Sequence, residues 1–230
     1  MNITISNNMT FILAIQLKDS TIVASDKRCA TIDSDGQFEF DRDQTNKLNL
    51  WRSGVITGVG ELTVIQRAVG FLEHLANSNI EQLINCLELS RLIRNEEHTH
   101  PQIDQTKLIY SHCDGEYLKL YSIEQEDGEY FIRQFEENEL SVWMYNPDIS
   151  KVTEKIKLLY KTLRPMSSFI DILAWIRYYV SQISDIFFEQ AKHDKFMSSN
   201  FDIYFQTTRR YYIGTIDSSL NVKKLSLIKN

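Results

Sequence analysis

The chain predicts an α+β fold built on antiparallel strands, and three observations carry that reading. An alternating apolar run from Thr10 to Leu17 turns at Lys18-Asp19-Ser20 and returns as Thr21-Ile22-Val23-Ala24. Two Asp-Gly turns, Asp114-Gly115 and Asp127-Gly128, follow one another between strand-like runs, which is the signal of an antiparallel meander. Helical periodicity is confined to two pairs of segments, one after Gly60 and one after Asp148. With 230 residues and no Pro/Gly/Ser-rich linker, residues 1–230 read as a single domain.

In order along the chain, Phe11, Leu13, Ile15 and Leu17 fall on one face of the first strand, as in a strand packed on one side. The return strand is short and β-branched and ends at Ser25-Asp26, so an acid stands at a strand end. A polar segment from Asp33 to Phe40 reads as a loop insertion, and QTNKLNL leads into the TGVGE turn. Leu62, Ile65, Val69 and Leu72 recur at helical spacing until Asn77-Ser78-Asn79 breaks the pattern; a second helix runs near Ile80 to Arg94. Asn95 to Gln105 reads as a polar loop. Strands follow at Lys107 to His112, Tyr117 to Ile123, Tyr130 to Phe135 and Leu140 to Tyr145, then helices near Ile149 to Leu163 and Phe169 to Phe188. Phe201 to Thr207, Tyr211 to Asp217 and Val222 to Ile228 close the chain as strands.

Composition narrows the function. A net charge of −6 with no Lys/Arg cluster argues against nucleic acid as a partner. Asp171, Arg177 and Asp185 interrupt the longest apolar stretch, so no membrane span is expected. Three widely spaced cysteines, Cys29, Cys86 and Cys113, suit reduced thiols in a cytoplasm better than a disulfide framework. His98 and His100 lie among glutamates in a loop and read as solvated surface, because no Cys or further His completes a metal ligand set. His112 and Cys113 are neighbours on a strand and therefore point to opposite faces.

Thr10, the hairpin behind it, ASDKR with Asp26, Lys47 within QTNKLNL and TGVGE with Gly58 resemble the first quarter of a proteasome β-type subunit. That family includes the simpler bacterial peptidases of the HslV kind and belongs to the N-terminal nucleophile hydrolases. Asp26 lies sixteen residues after Thr10, the spacing the family uses, and Lys47 falls a few residues later than usual. The resemblance implies a four-layer αββα sandwich of two antiparallel sheets, and a threonine-type peptidase or amidase without cofactor or metal. It further implies self-association into rings, a peptide or unfolded-protein substrate and an ATPase unfoldase as a possible partner.

The implied chemistry fits these residue types. A threonine hydroxyl needs a base, and a chain-terminal threonine carries one on its own Cα. Its α-amine, ordinarily near pKa 7.7–8.0, would be lowered by the Lys47 ammonium, which Asp26 would hold in place. The Gly58 N–H would face the oxyanion, with no Cβ to obstruct the substrate. AKHDKFMSSNFDIYF resembles the family's acid-bearing loop and puts Asp194 at the supporting acid. The chain also departs from the pattern. Met197 stands where the family has a serine, with Ser198 and Ser199 directly after, and Tyr145-Asn146-Pro147-Asp148 replaces a Gly/Ser-rich turn. All of this requires Thr10 to be the first residue, so residues 1–9 read as a leader or as a misassigned start with Met9 as initiator. If Met1 is retained, Thr10 is an internal strand residue and the chain is a catalytically inactive structural subunit or peptide-binding module.

Overall fold

The run from Phe11 to Asp26 folds as the hairpin that its alternation predicts, and the rest of one sheet is laid against it. The computed structural model describes residues 5–8, 10–32, 38–42, 44–144, 148–217 and 228–229, with backbone alone for 5–8, 30–32, 38–42 and 228–229. Seven strands come first: β1 Ile5–Asn8, β2 Phe11–Gln16, β3 Ser20–Asp26, β4 Cys29–Ile32, β5 Phe38–Arg42, β6 Asn49–Trp51 and β7 Gly54–Glu61. Three helices follow, α1 Leu62–His74, α2 Leu83–Glu97 and the short α3 Pro101–Asp104. The meander is β8 Lys107–Cys113, β9 Leu118–Glu126 and β10 Glu129–Gln134, then β11 Glu139–Met144. Helices α4 Thr153–Lys161 and α5 Ile172–His193 precede β12 Phe201–Thr207, β13 Tyr211–Ile216 and β14 Ile228–Lys229.

All pairings among the described residues are antiparallel, in two sheets. One runs β10-β9-β8-β7-β1-β4-β5, with β6 paired to β7; the other runs β11-β2-β3-β12-β13-β14. The protein is thus α+β with two antiparallel sheets and five helices among the described residues, an arrangement compatible with a sandwich. Between Asn8 and Phe11 the chain crosses from the first sheet to the second, and Thr10 stands at that crossing.

Three apolar clusters hold these elements together. Leu13, Ile15, Ile22 and Ala24 pack with Trp175, Tyr179, Ile183 and Phe187 of α5. Ile56, Leu108 and Ile123 of the other sheet pack with Ile65, Val69 and Leu72 of α1 and Leu87 of α2. Ile12, Ala14, Val23 and Tyr204 meet Val55, Ile109 and Leu120, so sheet meets sheet. β2 is therefore buried on both faces, where its alternation predicts one; Ala14 is small because a second sheet lies over it. Phe187 stacks on Phe201 at 4.3 Å and meets Phe11 edge-on at 5.0 Å, which fixes the strand directly after Thr10.

Local chemistry sets the element ends. Glu61 caps α1 by accepting the Val64 N–H at 2.8 Å, and Arg94 of α2 pairs with the same carboxylate at 3.1 Å. Asn77 and Ser78 take positive φ and end the first helical run. Asp171 caps α5 through the Ala174 N–H.

Several boundaries differ from the sequence reading. The segment read as a loop insertion holds β5 from Phe38 onward, paired with β4; its polar residues conceal the alternation. His100 caps α3 inside the stretch read as loop, its Nδ1 accepting the Gln102 N–H. The strand read from Val222 lies outside the described residues except for β14. No helix among the described residues is long and apolar enough to cross a membrane.

Candidate active site

Asp26 closes β3, a strand held between β2 and β12, and its side chain is fully buried. The register pairs Ile12 with Ser25, which brings Asp26 level with Phe11, and Asp26 Oδ1 accepts the Phe11 N–H at 2.9 Å. Lys47 Nζ donates to the same oxygen at 2.9 Å, with the lysine side chain 2% exposed. Oδ2 accepts the Arg28 N–H at 2.9 Å. Burial pushes the Asp26 carboxyl up, against the opposing pull of the Lys47 ammonium and these hydrogen bonds. An ion pair this deep is held at a desolvation cost, and removal of either partner leaves an uncompensated charge.

Thr10 lies immediately before the Phe11 amide that Asp26 binds. It is 2% exposed, and its Oγ1 has no hydrogen-bond partner among the described residues. Buried hydroxyls are rarely left so. The Oγ1 atoms of Thr45 and Thr57, near Lys47 and Gly58 in sequence, share that condition.

Gly58 lies on β7 opposite Leu108. Asn49 Nδ2 donates to the Ile56 carbonyl, while the Val55 N–H donates to Ser111 Oγ on the β8 side. Alternate residues of a strand turn their backbone groups to the same side, so the Gly58 N–H points away from β8. It points into the interval of β7 between Ile56, paired with Asn49, and Gly60, paired with Asn8. Its lack of a side chain also has a cause within the fold. A Cβ there would stand 2.3 Å from the Lys107 carbonyl oxygen and 2.9 Å from Leu108 Cδ2, so the adjoining strand demands the glycine.

Asp194 is placed differently from the other predicted residues. It follows α5, and its Oδ1 accepts the Phe196 N–H at 2.9 Å, a local turn closed on itself. Met197 belongs to the apolar core against α5. Ser198 is the polar residue that reaches the site's surroundings: its Oγ accepts the Lys27 N–H at 2.8 Å and donates to the Asn200 carbonyl at 2.6 Å, bracing the turn directly after Asp26. In the sequence Ser198 stands out only as a neighbour of Met197. Lys27 itself pairs with Asp202 at 2.7 Å. Residues 145–147 of the replaced Gly/Ser turn lie outside the described residues.

No family model matches the chain, and no curated protein matches it. Solved structures do. Anbu from Hyphomicrobium sp. strain MC1, as a Gly-1 mutant, is 16% identical with a TM-score of 0.61 over 92% of this chain and 90% of that one. Anbu (ancestral beta-subunit) from Yersinia bercovieri is 14% identical with a TM-score of 0.59, covering 88% and 86%. Anbu from Pseudomonas aeruginosa, described as a helical assembly, is 13% identical with a TM-score of 0.61, covering 96% and 87%. These likenesses establish a shared fold. They also correct the resemblance read from sequence: the structural neighbours named are Anbu proteins, related to but distinct from the HslV-like peptidases, which neither a family model nor a curated protein supports.

Proposed function

We propose that the chain is a four-layer αββα subunit of the N-terminal nucleophile type and, when Thr10 heads the chain, a threonine peptidase or amidase. The observation that carries this is the buried Lys47–Asp26 pair sharing Oδ1 with the Phe11 N–H, one residue from an unpartnered Thr10 hydroxyl. In this reading the Thr10 amine takes the hydroxyl proton, Oγ1 attacks the substrate carbonyl, and the Gly58 N–H donates to the oxyanion. The protonated amine then gives its proton to the leaving amine. Water, deprotonated by the same amine, cleaves the ester on Thr10 and releases the acid. Lys47 keeps the amine neutral by like-charge repulsion, and Asp26 keeps Lys47 in place.

A second reading has its own observation. β1 is paired to β4 and β7 ahead of Thr10, and with β1 in the chain the Thr10 nitrogen is a peptide amide, without the base. The chain is then a silent subunit whose role is assembly. Self-association is part of both readings and is supported by the helical assembly of the Pseudomonas aeruginosa protein.

The test is an electrophile that reacts with N-terminal threonine, applied to the protein isolated from its own host, with intact mass and peptide mapping as readout. Modification at Thr10, absent in Thr10→Ala and reduced in Lys47→Met, supports the enzyme. An unmodified chain that retains β1 and assembles supports the silent subunit.

A further inference from the structure

A cavity of about 580 Å³ opens between β11 of one sheet and β7 and β8 of the other, beside the proposed site. Such a volume lies within the ~300–1,000 Å³ typical of ligand pockets. One wall holds Val142, Trp143 and Met144 of β11. Neighbouring strand residues face opposite ways, and here Val142 and Met144 pack toward α5 whereas Trp143 packs toward the other sheet. Three consecutive residues line one cavity only if the strand presents its edge to it. β11 ends its sheet, so among the described residues its outer edge pairs with no strand.

Open edges are normally blunted by charge, proline or a bulge. β11 carries one charge, Glu139, and Arg133 neutralises it at 2.7 Å; the remaining Leu-Ser-Val-Trp-Met is an uncharged template. The opposite wall holds Val59 and Gly60 of β7 with Lys107 of β8, whose ammonium pairs with Glu124 at 3.1 Å at the rim. Gln102 also lines the cavity; it is 2% exposed, and neither its Nε2 nor its Oε1 has a hydrogen-bond partner among the described residues. An amide with both functions unanswered is complementary to another amide. The register ties both walls to the proposed nucleophile: Met144 pairs with Phe11, and Gly60 pairs with Asn8, on either side of Thr10.

We propose that this cavity receives an extended peptide as an added strand on the outer edge of β11. Backbone groups of the peptide pair with the free N–H and C=O groups of the strand, Gln102 turns to meet one peptide group, and Trp143 supplies an apolar surface for a side chain. The peptide class deepens the peptidase reading and rests on it only for the fate of the bound chain; docking itself requires no chemistry at Thr10.

The experiment is hydrogen–deuterium exchange on the full chain and on its Thr10→Ala variant, with a capped hexapeptide of alternating valine and threonine. Two further peptides carry N-methyl groups on one or the other alternate set of amides. Expected is a slowing of exchange over Glu139–Met144 by at least about tenfold in both proteins, with one methylated peptide still binding and the other not. Gln102→Leu weakens binding about tenfold while leaving the melting temperature equal or higher. Unchanged exchange over β11, equal binding of both methylated peptides, or β11 protection that grows with protein concentration alone would each overturn the proposal, the last by assigning the edge to a second copy. Binding to Thr10→Ala with no turnover by the parent chain would leave the docking standing and remove the peptidase reading.

Discussion

Replacing Lys47 with methionine keeps the apolar stem and removes the charge that faces Asp26. The carboxylate then has two courses. Remaining ionised in the interior, it forfeits the pair at a loss of about 3–5 kcal/mol. Taking a proton, a carboxyl of ordinary pKa near 3.9 costs about 4 kcal/mol at pH 7, at 1.36 kcal/mol per unit. Burial already pushes Asp26 up, so the second course is cheaper than that figure and sets the ceiling. A loss approaching 4 kcal/mol is a large share of the roughly 5–15 kcal/mol that holds a domain folded. The sign with pH follows from the direction of the shift. With the folded carboxyl above its unfolded value, the variant's folded state binds a proton that the unfolded chain releases at neutral pH. Its deficit therefore shrinks as pH falls from 7 toward about 4, by up to about 1.4 kcal/mol per unit. Urea unfolding followed by tryptophan fluorescence at pH 7 and pH 5 measures both numbers. Asp26→Asn added to Lys47→Met should recover most of the loss. A Lys47→Met protein within about 0.5 kcal/mol of its parent at pH 7, or one with the same deficit at both pH values, would refute the reasoning.

Gly58→Ala should lower the melting temperature, because its Cβ meets a main-chain oxygen that moves only if β7 and β8 part; overpacking of this kind costs about 1–3 kcal/mol, or about 2–4 °C for each kcal/mol in a domain of this size. Gly70→Ala, with nothing within 4 Å and a helical backbone, should not, and equal melts for the two would count against the packing argument. Asp19 accepts the Met166 and Ser167 N–H groups at 2.8 Å each. Burial pushes its carboxyl up, but the bonds from Ser167, Ser20 and Met166 together hold it below the usual carboxylate value. Its contribution is therefore present above the unfolded value near pH 4 and lost as pH falls through the lower folded one. Denaturation curves of parent and Asp19→Asn should differ at pH 6 and converge toward pH 2; a gap unchanged at low pH would assign the effect to something other than the charge.

What the sequence disclosed depended on how local the signal was. The hairpin of β2 and β3 and the meander of β8 to β10 are period-two runs joined by short turns, and both were legible. Asp26 at a strand end followed from the hairpin alone, whereas its pairing with Lys47 depends on residues twenty-one apart and was reached only through a family pattern. β1 is not legible because its partners β4 and β7 lie far along the chain, and β5 because its polar residues hide the alternation. Within TGVGE, Gly58 reads as an opening for substrate; that its neighbour across the ladder also limits its size is not legible there, because no pattern within TGVGE contains Lys107. Asp194 matched a motif position while its carboxylate serves the turn two residues on. Ser198 reached Lys27 from 171 positions away, a contact that only the fold creates.

The place of β1 gives the peptide bond before Thr10 a second meaning. Among the described residues β4 has two strand neighbours, β1 and β5, so there β1 alone joins the β4–β5 pair to the remainder of its sheet. A chain that starts at Thr10 lacks that link. The event that would unmask the amine would also cut a hairpin loose from its ladder and bare the flank of β7 at Gly60, two residues from the proposed oxyanion donor. Maturation and sheet rearrangement would then be one event, and a probe of the hairpin's ordering would report on the chemistry of the terminus without any substrate being present.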